Sequence, residues 1–141
     1  MKIQAVRVLT FEAGHRIVNH ESKCATLHGH GYAVHFFCEA SELDDLGRVI
    51  DFSVIKEKIG SWLDRYWDHT MLLWRDDPAL PFIEKCPSFK PVYICDFNPT
   101  AENLALYLLK NVCPSCLTGE DITVTKIRLY ETPNCYVEVE G

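Results

Sequence analysis

No apolar run in this chain approaches the ~20 residues that span a bilayer, so no membrane segment is expected. The opening Met1-Lys2-Ile3-Gln4-Ala5 lacks the apolar core of a secretory signal, which reads as a cytoplasmic protein. Positive charge is also scarce: 14 Lys and Arg stand against 20 Asp and Glu, a net charge of −6. A phosphate backbone needs a basic face, so nucleic acid is not an expected partner. A small anionic substrate stays open, because a local group such as Arg16, His20 and Lys23 can hold phosphates within an acidic protein. Internal repeats and low-complexity segments are missing. With no secretory signal, seven cysteines do not read as a disulfide framework. Cys38 and Cys135 read instead as small buried hydrophobes in strands.

What is present is an ordinary globular composition, 48% hydrophobic and 24% charged over 141 residues, which suits a single domain over 1–141. Residues 2–12 are rich in β-branched and apolar types and predict a strand. Residues 13–30 read as a loop, and Gly31 to Ala40 alternates as a second strand. Ser53 is the predicted cap of a helix to about Trp67, with Val54, Ile55, Ile59, Trp62, Leu63 and Tyr66 on one face. Residues 75–98 hold several prolines with Cys86 and Cys95, and predict a long irregular connection. Thr100 caps a second predicted helix, with Leu104, Leu108 and Val112 along one face and Pro114 and Gly119 ending it. Residues 122–130 and 135–140 form a closing hairpin about Pro133-Asn134. The order is ββααββ: an α+β fold with a four-stranded antiparallel sheet and two helices on one face.

Three histidines dominate the chemistry. His28 and His30 flank Gly29, and His15 ends Phe11-Glu12-Ala13-Gly14-His15. Residues two apart on an extended backbone point to the same face, and Gly29 between them reads as keeping the approach open. If the first two strands pair, His15 falls opposite. Three imidazoles with one position left free is the ligand pattern of a catalytic zinc.

Cys24, beside the Lys23 cation and near a candidate metal, reads as an acid–base or nucleophilic group, as a fourth, site-closing zinc ligand, or as a bystander. Asp68-His69 reads either as a carboxylate-oriented acid–base pair or as a helix-terminal imidazolium with a surface carboxylate. Glu131 can accept paired hydrogen bonds from an amidine-like ring edge, or is a solvated strand-end charge. Cys113-Pro114-Ser115-Cys116 is a redox pair, half of a second zinc site with Cys86 and Cys95, or a pair of ordinary thiols.

Together these residues resemble the 6-pyruvoyl-tetrahydropterin synthase family, which includes the 6-carboxytetrahydropterin synthases of queuosine biosynthesis. The resemblance lies in Phe11-x-Ala13-x-His15-Arg16, Cys24-x-x-x-His28-Gly29-His30-x-Tyr32, Gly47-x-Val49-x-Asp51-Phe52, Asp68-His69, Pro99-Thr100-Ala101-Glu102-Asn103 and Glu131-Thr132. It implies a T-fold, trimers whose sheets join into a barrel, often stacked as hexamers, and active sites between subunits. It implies zinc on His15, His28 and His30, substrate binding by Glu131, Thr100 and Glu102, and proton transfer by Cys24, Asp68 and His69. The implied substrate is 7,8-dihydroneopterin triphosphate. The three residues between Cys24 and His28 resemble the 6-carboxy branch, which releases acetaldehyde and triphosphate. The alternatives are the 6-pyruvoyl product, a related pterin, or a non-catalytic pterin-binding protein. Two departures stand out. Leu73 occupies a position usually held by asparagine, and the 75–98 link is long. Both are expected to bear on the pocket near Asp68-His69.

Overall fold

The computed structural model describes residues 2–141. Strand β1 (Ala5–His15) pairs antiparallel with β2 (His28–Glu39) along its whole length, from Ala5 opposite Cys38 to His15 opposite His28. Burial alternates along both strands. Leu9, Phe11, Ala13 and His15 on β1, and Tyr32, Val34, Phe36 and Cys38 on β2, are buried; Val6, Val8, Thr10 and Glu12 are exposed. One face of the sheet therefore meets the core and the other is open.

The strands are longer at their inner ends than the sequence predicts. His15, His28 and His30 lie on strands rather than in a loop over residues 13–30, and only residues 16–27 connect. Polar side chains at the strand ends had masked the pairing, which is carried by the backbone.

Beyond β2 come β5 (Thr123–Thr132) and β6 (Cys135–Glu140), which form the expected hairpin. On the other side, β3 (Thr70–Trp74) runs parallel to β1, and β4 (Tyr93–Cys95) runs parallel to β3. The sheet is thus six-stranded and mixed, in the order β4-β3-β1-β2-β5-β6, not four-stranded and antiparallel. The two extra strands are short, and after Thr70 β3 is apolar throughout, without the alternation that marks a half-buried strand. The segment 75–98 is accordingly not wholly irregular: it carries a short helix α2 (Leu80–Ile83) and β4.

The longer helix α1 covers residues 52–66, with a wide π turn at Lys56–Gly60. Its cap is Asp51, not Ser53: the Asp51 carboxylate accepts from the Ser53 N–H at 2.9 Å. Helix α3 covers residues 101–116, with a second π turn at Leu108–Val112, and Thr100 caps it as expected by accepting from the Asn103 N–H at 3.1 Å. Pro114 does not end α3. The widened turn just before it breaks the regular ladder where the missing N–H would be felt, and the chain departs only after Cys116, with Gly119 at φ +88°.

Both helices pack on the same face of the sheet. Ile55, Ile59, Leu63 and Trp67 from the first, and Leu104, Leu108 and Val112 from the second, join Phe11, Tyr32, Val34, Phe36 and Ile127 in one cluster. Each such side chain contributes roughly 1.5–3 kcal/mol by leaving water. Cys38 is buried there as predicted, but Cys135 is exposed, being the first residue past the hairpin turn on the free sheet edge. No helix among the described residues is long and apolar enough to cross a membrane.

Candidate active site

The β1–β2 register builds a candidate metal site. His15 stands opposite His28, and Ala13 opposite His30, so all three rings project from the helix-covered face at the end of the pair. Their ring centroids lie 4.7–5.1 Å apart, and one ligand nitrogen from each falls within 4.8 Å of the others.

Backbone carbonyls set which nitrogen is free. His15 Nδ1 lies 2.8 Å from the Pro99 carbonyl, and His28 Nδ1 lies 2.6 Å from the Thr26 carbonyl. A carbonyl only accepts, so both Nδ1 atoms carry the proton and both Nε2 atoms present lone pairs. His30 Nε2 is buried with no hydrogen-bond partner, and its nearest charged neighbour is Glu131 Oε1 at 3.5 Å. A desolvated, unpartnered imidazole nitrogen facing two presented lone pairs fits a divalent metal.

The electrostatics favour the neutral form of His15 and His30. Burial pushes His15 down to about 4 against the opposing Pro99 carbonyl, with His28 and His30 adding to the fall. His30 is also lowered: burial outweighs the Glu131 carboxylate, and His28 adds to it. A neutral imidazole is the form that binds a metal. Behind the centre, the Tyr32 hydroxyl sits 3.3 Å from His15 Nδ1, and burial with the Glu131 charge raises its pKa so that it stays protonated.

Gly29 does not open the metal side. It faces the other way, across from Gly14, where an added Cβ would come within 3.1 Å of the Ala13 carbonyl. It serves close backbone approach on the open face.

Cys24 sits on a single 3₁₀ turn (Lys23–Ala25) in the loop before His28, half-buried. It is not among the donors that converge, so the closing, four-ligand reading fails. The second zinc reading fails too. Cys86, Cys95, Cys113 and Cys116 are free thiols that form no donor cluster among the described residues.

The loop around Cys24 is held by contacts that the sequence did not suggest. Arg16 makes a two-pronged pair with Asp77, Nε to Oδ2 at 2.8 Å and Nη2 to Oδ1 at 2.6 Å, and is therefore not free to hold phosphates. The Asn98 amide accepts from the Val18 N–H and donates to the Val18 carbonyl, each at 3.0 Å.

Asp68 and His69 occupy the corner between α1 and β3, on the open side of the sheet with Glu12. The His69 N–H donates to the Glu12 carbonyl at 2.6 Å, and the Glu12 N–H donates to Asp68 Oδ1 at 2.8 Å. His69 Nδ1 donates to Asp68 Oδ2 at 2.8 Å, while His69 Nε2 faces Glu12 Oε2 at 3.7 Å. The Asp68 hydrogen bond and charge raise the His69 pKa. Partial burial opposes ionisation of Asp68, but the Glu12 N–H, His69 and Lys90 hold it below its ordinary value. This is an imidazole oriented by a carboxylate, competent to move a proton.

A cleft of about 530 Å³ beside it is lined by Glu12, Gly14, Gly29, His30, His69 and Met71 among others. Leu73 lines neither this cleft nor the neighbouring one that His69 also borders; it is fully buried in β3. Of the remaining expected residues, Glu131 joins the histidines, the Thr100 side chain is engaged as a helix cap, and Glu102 is exposed in the first turn of α3.

A model of the 6-pyruvoyl tetrahydropterin synthase family matches residues 5–141. The chain belongs to this family. The 6-carboxy-5,6,7,8-tetrahydropterin synthase of Rickettsia felis is 43% identical over 138 residues, 97% of this chain and 99% of that protein. The protein of the same name from Helicobacter pylori is 33% identical over 143 residues, 94% of this chain and 70% of that one. Among solved structures, an uncharacterized protein of Wolinella succinogenes matches at TM-score 0.86 and 23% identity, over 100% of this chain and 99% of that one. The 6-pyruvoyl tetrahydropterin synthase of Caenorhabditis elegans matches at 0.71 and 22%, over 100% and 96%. At those identities the structures show that the synthase fold is shared, including the α+β layering found here.

Proposed function

We propose that this chain is a zinc-dependent lyase that converts 7,8-dihydroneopterin triphosphate to 6-carboxytetrahydropterin, releasing acetaldehyde and triphosphate. A pterin lyase activity is supported by relatives named 6-carboxytetrahydropterin synthase at 43% identity over nearly the full length. The observation that carries the finer reading is the convergence of His15, His28 and His30, two of them with Nδ1 tied to carbonyls and the third with an unpartnered Nε2. A zinc there would acidify the side-chain hydroxyls of the substrate and stabilise charge that develops on oxygen.

In this reading Glu131, next to His30, anchors the amidine edge of the pterin ring through paired hydrogen bonds. Thr100 and Glu102, at the start of α3, serve the substrate from the Pro99 side. Cys24 exchanges protons with the substrate side chain near the metal, and His69, oriented by Asp68, acts as the second acid–base group. His69 lies on the open face, while the histidine cluster projects from the covered one. In this reading the complete site draws on two copies of the chain, as in the homo-oligomer (trimer or hexamer) that the family resemblance implies.

The test is incubation of zinc-loaded protein with 7,8-dihydroneopterin triphosphate and product identification by mass spectrometry. The expected result is 6-carboxytetrahydropterin with acetaldehyde. A three-carbon side chain retained without acetaldehyde would move the assignment to the 6-pyruvoyl reaction. Unchanged substrate at one zinc per chain would refute turnover of this pterin.

A further inference from the structure

We propose that Lys90, on the 75–98 segment, is a positioning residue that holds the Asp68–His69 pair by clamping the end of α1. The inference rests on the reading of Asp68 and His69 as an acid–base pair.

The Lys90 ammonium donates to two main-chain carbonyls at once, those of Asp64 and Asp68. The Asp64 carbonyl belongs to the last turn of α1, where carbonyls have no partner within the helix and a cation is favoured. The Asp68 carbonyl also accepts from the Thr70 hydroxyl at 3.0 Å, so Lys90 and Thr70 hold it from both sides of His69. His69 itself sits at φ +54°, a left-handed conformation that a residue with a Cβ adopts only when its neighbours enforce it. The enforcing contacts are the clamped Asp68 carbonyl before it and its own N–H bond to Glu12.

The segment that delivers Lys90 is built to turn it inward. Across residues 84–91, Lys90 is the one residue that is not exposed, while its neighbour Phe89 is wholly exposed. Pro87 and Pro91 flank the tip, and the Ser88 hydroxyl closes onto the Lys90 carbonyl. The stretch 84–91 thus spends its one drawn-in side chain on the corner that carries His69.

The experiment compares Lys90→Met, which keeps the aliphatic stem without its donors, with Lys90→Arg and with Lys85→Met, an exposed control on the same segment. Readouts are kcat and KM of the zinc-loaded protein and hydrogen exchange of the His69 and Asp68 amides. Lys90→Met is expected to lower kcat about tenfold with KM little changed, because the misplaced group acts in the transition state. It is also expected to speed exchange at those amides about tenfold while the β1–β2 amides keep their rates. Lys90→Arg restores both, and Lys85→Met changes neither. Unchanged exchange in Lys90→Met overturns the clamp. Faster exchange with wild-type kcat overturns the positioning role. A parallel His69→Ala variant separates the premises: full turnover there refutes the acid–base reading, whereas the exchange result stands by itself.

Discussion

The ring of His15 and the carbonyl of Pro99 are 84 residues apart in sequence and meet at 2.8 Å in the buried floor of the site. That bond does more than pack a side chain. It decides which imidazole nitrogen is available, and it ties the end of β1 to the start of α3.

Removing that ring should cost both metal and stability. In His15→Ala a buried ring is lost and the Pro99 carbonyl loses its donor, for a destabilisation of about 3 kcal/mol. His28 is only partly buried, so His28→Ala should lose the metal with under about 1 kcal/mol of stability lost in the metal-free protein. Elemental analysis after dialysis and urea unfolding of both metal-free variants separate these effects. Equal stability losses would contradict the distinction.

Asp68→Asn should shift the titration of His69. The imidazole is held above its ordinary 6.5 first by the Asp68 hydrogen bond and then by the Asp68 charge. A raised value favours the charged form, whose contribution is complete below 6.5 and fades as pH rises through the folded pKa. With the carboxylate gone, the His69 ring proton should titrate at lower pH by NMR, and any activity limb that belongs to it should move the same way. A midpoint that stays put would show that Asp68 does not govern His69.

Asp77→Asn should loosen the loop that carries Cys24. Arg16 holds the Asp77 carboxyl below its ordinary 3.8, against burial and with help from the Ala79 N–H. A depressed carboxyl stabilises the fold above that ordinary value and loses the contribution as pH falls through the folded pKa. Near pH 7 the variant should be about 2–3 kcal/mol less stable, discounted because Arg16 is partly solvated. The gap from wild type should close in acid. Limited proteolysis between residues 17 and 27 should speed up at neutral pH.

Leu73→Asn would place an amide at a position that is fully buried in this protein. The environment is apolar, and an amide placed there without a partner costs about 1–3 kcal/mol. Thermal melting should fall, and turnover should not rise, since Leu73 borders neither cleft at His69. A more stable or faster variant would mean that Leu73 shapes the pocket after all.

The legible parts of this molecule are those set by short-range pattern. His28-Gly29-His30 placed two rings on one face by strand alternation alone, and the β1–β2 register delivered His15 to them. Thr100 announced its helix, and the closing hairpin was plain. Strands β3 and β4 escaped notice because five and three residues carry too little periodicity to separate a strand from a buried loop. Gly29 borders the cleft beside His69 rather than the metal side, because the alternation that aligns its neighbours turns it away from them. The pairing of Arg16 is not legible locally, because its partner Asp77 arrives from 61 residues away. The role of Lys90 was equally hidden, since its acceptors are main-chain carbonyls, which every residue has.

The stretch from Asp77 to Pro99 also governs when the site can exist. Its ties to the metal region close over 61, 80 and 84 residues, whereas β1 and β2 zip together across a short connection. Closures that long come late as a chain folds. During synthesis, the three histidines will have emerged and paired well before the carbonyl that orients His15 has been made. The nascent chain therefore passes through an interval in which His28 already has its Thr26 carbonyl but His15 lacks its own, and a metal held by all three rings would gain its oriented His15 ligand only after the segment beyond β3 has docked.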